Sequence, residues 1–125
     1  MADKKIKPTE GELEILSILW EKENATVREV YECINQVKES GYTTTLKLMQ
    51  IMFEKGLAGR DETNRKHIYF PLVSREGTQE QLVDKMVQTL FNGNRTALVM
   101  QALGQHQPNA AEIDAIQQLL NELKK

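Results

Sequence analysis

The sequence is poor in cysteine and histidine. Cys33 is the single cysteine among 125 residues, and one thiol cannot form the disulfides that hold small secreted domains together. A reducing compartment such as the cytoplasm is therefore expected. The two histidines, His67 and His106, lie far apart in the sequence. With so few ligands we expect no metal site and no bound cofactor.

Long apolar runs and a strong charge of one sign are also missing. No stretch approaches the roughly 20 apolar residues of a membrane-spanning helix, so no membrane insertion is expected. Residues 1–7 are polar and lack the apolar centre of a signal peptide. Sixteen Lys and Arg against eighteen Asp and Glu give a net charge of −2. This balance argues against a protein that adheres to nucleic acid indiscriminately.

No group of side chains indicates catalysis. Glu10, Glu12 and Glu14 have no histidine or nucleophile beside them, so we interpret them as a solvated face and expect no enzyme. Cys33 lies in an apolar stretch and is interpreted as a small core residue, with a sensor thiol as the alternative. Trp20, at the end of an apolar stripe, is expected to pack in the core or at a domain boundary.

Helix signals are frequent in the first 56 residues. Thr9 and Glu12 have the spacing of a capping box, and Thr26 and Glu29 repeat it. A third helix is predicted from Thr43 or Thr44 to a left-handed cap at Gly56. The apolar stripes behind the two boxes are Leu13, Leu16, Leu19 and Trp20, and then Val27, Val30, Tyr31, Ile34 and Val37.

The periodicity changes after Gly56. A short segment at 57–60, a polar turn at 61–65 and an alternating segment at 67–72 predict a β-hairpin. Pro71 lacks an amide donor, so its strand is expected at a sheet edge or near the strand end. Alternation places Ile68, Phe70 and Leu72 on one face, and His67, Tyr69 and Pro71 on the other.

The region 75–125 is predicted to form three short helices, at about 78–92, at 95–103 and after an Asn109 cap. It carries more apolar surface than so small a unit can bury on itself. It packs either against the first domain or, as we favour, against a second copy in a homodimer. The expected dimerisation residues are Leu82, Met86, Leu90, Leu98, Ile113, Ile116, Leu120 and Leu123.

The region 1–74 has the element order of a winged helix-turn-helix, in which the third helix enters the DNA major groove and the hairpin forms the wing. The expected fold is thus mainly α with a small β-hairpin wing. The polar residues of the third helix fall on one narrow face, which we call the polar ridge. Their types suit base edges and phosphates, although an ordinary solvated face is the other interpretation. The polar ridge comprises Thr43, Thr44, Lys47, Gln50 and Glu54.

Charge is distributed unevenly between the predicted elements. Residues 1–39 carry six Lys and Arg against nine Asp and Glu, a net −3. Residues 41–70 carry five against three, a net +2. Arg65 and Lys66, at the hairpin tip, are placed for phosphate contacts, which position a protein without reading sequence.

Several segments carry a family resemblance that covers nearly the whole chain. They are residues 11–16 and 19–22 (GELEIL, LWEK), 42–46 and 49–50 (YTTTL, MQ), 54–57 (EKGL) and 69–76 (YFPLVSRE). Together they resemble the first helix, recognition helix and wing of the penicillinase-repressor (BlaI/MecI/CopY) family.

The resemblance implies a dimeric transcriptional repressor that binds double-stranded operator DNA. Each winged helix would bind half of an inverted-repeat operator, at genes of the β-lactam-resistance type, and the C-terminal helices would hold the dimer. Thr43, Thr44, Lys47 and Gln50 would approach bases. Tyr42, Arg65 and Lys66 would lie near the backbone.

The resemblance is less informative about induction. In β-lactam-responsive members a regulatory protease cleaves an Asn–Phe bond, which falls near Gln101 and Ala102 here, and neither residue matches. Copper-responsive members carry paired cysteines near the C-terminus, and residues 121–125 contain none. A winged-helix protein-interaction module and a ligand-sensing regulator remain the alternative functions.

Overall fold

The computed structural model describes residues 6–125. Residues 1–5 lie outside the described residues. They make up most of the segment 1–7, which is not expected to be a signal peptide. The chain divides into two compact units, the first ending at Gln81 and the second covering Leu82–Lys125. The described elements are α1 (Glu10–Lys22), α2 (Val27–Val37), α3 (Tyr42–Lys55), β1 (Ala58–Asp61), β2 (Ile68–Pro71), α4 (Arg75–Leu90), α5 (Arg95–Gln105) and α6 (Ala110–Leu123).

The helix starts follow the capping signals of the sequence. The Thr9 hydroxyl accepts a hydrogen bond from the Glu12 N–H at 3.2 Å, and the Glu12 carboxylate accepts one from the Thr9 N–H at 2.9 Å. Thr26 and Glu29 form the same reciprocal pair at 3.1 and 2.9 Å. Both boxes are confirmed, as is the Asn109 cap of α6.

The third helix begins slightly earlier than predicted, at Tyr42. Gly41 precedes it without a side-chain cap. At the other end Gly56 has φ 86°, and its N–H bonds to the carbonyls of Met52 and Phe53. The predicted left-handed glycine cap is therefore confirmed, and it turns the chain from α3 into the hairpin.

The core of the first unit lies between α1, α2, α3 and the hairpin. Ile15, outside the predicted stripe, is completely buried, whereas Leu13 is only partly buried. Val37 was expected on the apolar stripe of α2 but is 87% exposed. The reason is that α2 ends at Val37, while its buried face ends one turn earlier, at Ile34.

The expectation that Glu12 is solvated is wrong, since Glu12 is 2% exposed. Its Oε1 lies 2.7 Å from Lys55 Nζ, which joins the start of α1 to the end of α3. Burial acts to raise the pKa of Glu12, but hydrogen bonds from the Lys55 ammonium and the Thr9 N–H outweigh it. The pKa therefore falls below its ordinary value of 4.5.

We expect Glu12→Gln to lower the free energy of unfolding at neutral pH by about 1–3 kcal/mol, because it leaves Lys55 without its counter-charge. Since folding lowers the pKa of Glu12, this stabilisation is present above pH 4.5 and disappears as the pH falls through the folded-state pKa. Urea unfolding at neutral and acidic pH measures both effects.

Glu29→Gln is the matched control for this prediction. Glu29 occupies the same capping position in α2 but is exposed, so its loss should amount to no more than about 0.5 kcal/mol. Equal losses in the two variants would show that the ion pair of Glu12 contributes nothing beyond the cap.

The hairpin is antiparallel, with Ala58 opposite Pro71 and Asp61 opposite Ile68. Pro71 ends β2, as predicted. On the other side of β2, Ala25 and Tyr69 exchange backbone hydrogen bonds of 2.9 and 2.8 Å. This second pairing holds β2 against the helices.

The buried face of β2 carries Tyr69. It is not the face on which the sequence alternation places the apolar residues Ile68, Phe70 and Leu72. Tyr69 is 1% exposed, whereas Phe70 is 37% and Leu72 57% exposed. The pairing with Ala25 places the Tyr69 ring in the core. The Phe70 ring instead lies over Gly59, where a Cβ atom would overlap it.

Trp20 packs at the edge of the core, in agreement with the expectation. Its indole N–H donates to the Val73 carbonyl at 2.9 Å, and the Arg75 guanidinium lies 5.6 Å from its ring centroid. Cys33 is only half-buried and lines a surface groove beside Ile18. The interpretation of Cys33 as a core residue is therefore wrong, because its position on α2 faces this groove.

In the second unit, α5 is capped by Asn94, whose side-chain oxygen accepts the Ala97 N–H at 3.0 Å. Arg95 forms an ion pair with Asp84. Among the expected dimerisation residues, Met86, Leu90, Ile113, Leu120 and Leu123 are exposed, and Leu82, Leu98 and Ile116 are half-buried. Within residues 6–125, no helix is both long and apolar enough to cross a membrane.

Candidate nucleic-acid interface

The polar ridge lies on the exposed face of α3, which also carries Tyr42 and Phe53. All five of its residues are exposed, whereas Thr45, Met49 and Met52 on the other side of the helix are buried. The prediction of one narrow polar face is confirmed. The buried face anchors α3 in the core, so the ridge is presented on a rigid element.

An open groove of about 520 Å³ runs between α3, the start of α2 and the hairpin. We call it the wing groove. It brings together side chains from three separate parts of the chain. Its lining residues are Thr26, Val27, Arg28, Tyr42, Leu46, Gln50, Arg60, Arg65, Lys66, His67 and Tyr69.

The wing groove is strongly basic. Among the described residues that line it, Arg28, Arg60, Arg65 and Lys66 are cationic and none is a carboxylate. Positive charge concentrated in a cleft attracts polyanions far more effectively than the net charge of the chain suggests. The groove therefore suits a phosphate backbone.

Arg28 was not predicted as a site residue. Its guanidinium lies 5.4 Å from the centroid of the Tyr42 ring, which Tyr31 meets edge-on at 5.6 Å. A cation over an aromatic face is held in place by the ring quadrupole. Arg28 lies on α2, and the packing of α2 against α3 brings it to the groove. The sequence signal that could have found it is that Arg28 is the single basic residue of α2.

Arg60 was also missed. It lies on β1, opposite Tyr69, and its guanidinium carbon lies 4.0 Å from the centroid of the Phe53 ring. Hydrogen bonds to the Tyr69 hydroxyl and the Glu62 carboxylate raise the pKa of Arg60, which stays charged at every accessible pH. Its position depends on the strand register, which residue types alone do not reveal.

The tip of the hairpin carries Arg65 and Lys66, and both are exposed. The turn begins at Asp61, whose carboxylate accepts the Thr63 N–H at 2.9 Å and the Thr63 hydroxyl at 2.7 Å. These two bonds lower the pKa of Asp61. The tip is therefore ordered on its Asp61 side by an Asx-type turn.

The predicted site residues fall into two groups. Tyr42, Gln50, Arg65 and Lys66 line the wing groove, together with His67. Thr43, Thr44 and Lys47 lie on the exposed ridge and are not among the groove-lining residues. Gln50 belongs to both surfaces, so ridge and groove are continuous there.

Comparison with known proteins identifies the family of the chain. The family model described as "Penicillinase repressor" matches residues 8–122. The chain belongs to the penicillinase repressor family. The resemblance of the sequence segments is thereby confirmed.

Relatives within the penicillinase repressor family cover most or all of the chain. The transcriptional regulator BlaI of Mycobacterium tuberculosis is 30% identical over 118 residues, 91% of this chain and 84% of that protein. The penicillinase repressor of Staphylococcus aureus is 21% identical over 125 residues, 100% of this chain and 99% of its own. The methicillin resistance regulatory protein MecI of Staphylococcus aureus is 22% identical over 122 residues, covering 98% and 99%.

A solved structure supports the fold. The solution structure of the DNA binding domain of the repressor BlaI matches with a TM-score of 0.52 and 18% identity, over 59% of this chain and 90% of that one. The predicted fold class, mainly helical with a two-stranded wing, is confirmed. Within residues 6–125 no group of three or more His, Cys, Asp and Glu side chains could hold a metal ion.

Proposed function

We propose that this member of the penicillinase repressor family is a sequence-specific DNA-binding repressor that acts as a homodimer on inverted-repeat operators. The observation that supports this most strongly is the polar ridge beside a groove with four cations and no carboxylate among its described lining residues. A helix enters a major groove with one face, while the adjacent wing contacts the backbone. Both surfaces are present side by side in the first unit.

The residues divide by role in this proposal. Gln50 can bond adenine through two contacts, and Lys47 can reach guanine. Thr43 and Thr44 can contact thymine methyl groups. Tyr42 lies at the start of α3 and approaches the backbone. Arg65 and Lys66 bind phosphates from the wing, as sequence-independent contacts that orient the protein.

The dimer is proposed to form through region 75–125, with region 1–74 binding DNA. The second unit exposes large apolar side chains, and a symmetric pairing with a second copy would remove them from water. Two basic grooves in one dimer then add their phosphate contacts. A chain of net charge −2 can thus bind DNA with substantial, salt-dependent affinity.

The names of the relatives support a proposal for the class of genes that this protein regulates. They include a penicillinase repressor and a methicillin resistance regulatory protein. We therefore propose that this protein represses genes of the β-lactam-resistance type and that it acts in the cytoplasm. A regulatory protease is the proposed partner that ends repression, and no enzymatic activity is proposed for the chain itself. We assign no cleavage bond, because Gln101 and Ala102 do not match the family's Asn–Phe pair and lie within α5.

An electrophoretic mobility shift with salt titration tests DNA binding. We expect log K to fall linearly with log salt, and Lys66→Gln to reduce that slope by about 0.9 for each phosphate that the variant no longer neutralises. Lys22→Gln removes the same charge from the exposed end of α1 and should leave the slope unchanged.

The same titration separates the alternatives. A protein-interaction module would show no salt-dependent binding to any duplex, which would contradict the proposal. A ligand-sensing regulator would bind DNA and release it when a small molecule is added. Equal salt slopes for Lys66→Gln and Lys22→Gln would show that the wing is not part of the DNA interface.

A further inference from the structure

Arg60 differs from the other cations of the wing groove because its side chain is largely enclosed. It is 18% exposed, whereas Arg65 and Lys66 are exposed at the wing tip. One face of its guanidinium packs on the Phe53 ring at 4.0 Å. An arginine held in this way loses little side-chain entropy when it binds a ligand.

Some of the N–H donors of the Arg60 guanidinium already have partners within the protein. Its Nε donates to Glu62 Oε2 at 2.6 Å, its Nη2 lies 2.5 Å from the same oxygen in an ion pair, and its Nη1 donates to the Tyr69 hydroxyl at 3.3 Å. Because a guanidinium has five N–H donors, these two hydrogen bonds and the ion-pair contact leave donors for a further anion. Arg60 is therefore both fixed and incompletely satisfied.

Glu62 is the unusual partner in this arrangement. It is half exposed, at 49%, and its carboxylate contacts a groove-lining cation although the described lining of the groove contains no acidic residue. A DNA phosphate that contacts Arg60 would also lie close to the Glu62 carboxylate, which is negatively charged as well. At such short distances the repulsion between the two charges is appreciable even near a protein surface. The ion pair with Glu62 therefore competes with any phosphate.

We propose that Arg60 is an additional phosphate-binding residue of the wing and that Glu62 weakens its hold on DNA as a built-in competing anion. The inference rests on the proposed DNA-binding function and deepens it. In the free protein Glu62 neutralises Arg60. On a duplex, the backbone phosphate takes over part of the guanidinium, and Phe53 and Tyr69 keep the side chain in place. Glu62 thereby limits affinity for DNA of any sequence.

The test compares Glu62→Gln with Glu80→Gln in mobility shifts on a mixed-sequence duplex of about 30 base pairs, long enough for two half-sites. Both variants remove one negative charge, but Glu80 is exposed on α4 and does not line the wing groove. We expect Glu62→Gln to tighten binding about three- to tenfold at low salt and to steepen the salt slope by about 0.9 for each additional phosphate neutralised. Glu80→Gln should change both far less.

Variants of Arg60 identify the residue through which Glu62 acts. In an Arg60→Gln background, Glu62→Gln should have no more effect than Glu80→Gln. Arg60→Lys keeps the charge but not the fork geometry, so its duplex affinity should lie between those of wild type and Arg60→Gln. Thermal unfolding confirms that each variant is folded, and Arg60→Lys provides the comparison if Arg60→Gln is not.

Each outcome decides a different question. Tighter binding for Glu62→Gln alone, abolished in the Arg60→Gln background, supports the inference. Equal effects of Glu62→Gln and Glu80→Gln, or an effect that persists without Arg60, overturn it while DNA binding stands. Absence of salt-dependent binding by the wild-type protein overturns the proposed function instead.

Discussion

Replacing Gln50 or Lys47 by alanine is expected to abolish the protein's discrimination between its operator and unrelated duplex DNA. Both residues are exposed on α3, so neither change removes a core contact. A good base contact contributes about 1–3 kcal/mol of discrimination. Because a symmetric dimer would use each residue twice, we expect a loss of about 2–6 kcal/mol, roughly 30-fold or more in specific affinity.

Non-specific binding should respond differently in the two variants. Gln50 carries no charge, so Gln50→Ala should leave the affinity for mixed-sequence duplex and its salt slope almost unchanged. Lys47→Ala can lower the non-specific affinity as well, by the contribution of one cation per half-site. Competition mobility shifts with operator and mixed-sequence duplex measure both affinities in one experiment.

Matched controls for these substitutions exist on the other helices. Gln36→Ala on α2 and Lys22→Ala on α1 replace the same residue types at exposed helical positions outside the ridge and the wing groove. They should keep operator discrimination. If Gln50→Ala and Lys47→Ala behaved like these controls, the polar ridge would not be the surface that reads DNA.

Leu120→Asp is expected to convert the proposed homodimer into monomers. Leu120 is 48% exposed in the single chain, so the substitution removes little packing within the protomer. A charge buried without a partner at an interface is highly unfavourable. Sedimentation velocity over a range of concentrations should therefore show a species of half the mass.

The loss of dimerisation should greatly weaken operator binding. Linking two half-site readers converts the second binding event into an intramolecular one, and avidity gains of about 10²–10⁴ are typical. Leu120→Asp should lower the affinity for an inverted repeat by a factor of that size. For a single half-site its affinity should match that of the wild type.

Gln118→Asp adds the same charge at a neighbouring exposed position of α6, and it should remain dimeric. A dimeric Leu120→Asp with full operator affinity would contradict the assignment of α6 to the interface. In that case the packing of the C-terminal region against the rest of its own chain would be the better interpretation.

Local signals predicted much of the fold. The Thr9 and Thr26 capping boxes and the Gly56 cap depend on neighbours within a few residues, so the sequence alone specifies them. The polar ridge follows from helical periodicity once α3 is placed. The hairpin of the wing is also predicted from local signals, namely the polar turn and the alternating segment, with Pro71 near the strand end.

Long-range packing accounts for what the sequence did not reveal. Glu12 is buried because Lys55, 43 positions away, reaches it, and no local pattern indicates that pairing. Tyr69 rather than Phe70 enters the core because Ala25 pairs with β2 from the other side. Arg28 and Arg60 join the wing groove only through helix packing and strand register.

Selection of genomic fragments by the purified protein tests the central claim most directly. Fragments bound at physiological salt are sequenced and aligned, with the Gln50→Ala protein selected in parallel. We expect the wild-type protein to enrich one inverted repeat whose half-sites are spaced by about one helical turn, and Gln50→Ala to lose that enrichment. Recovery of fragments without a common repeat, or equal enrichment by both proteins, would contradict a dimeric repressor that reads DNA with α3.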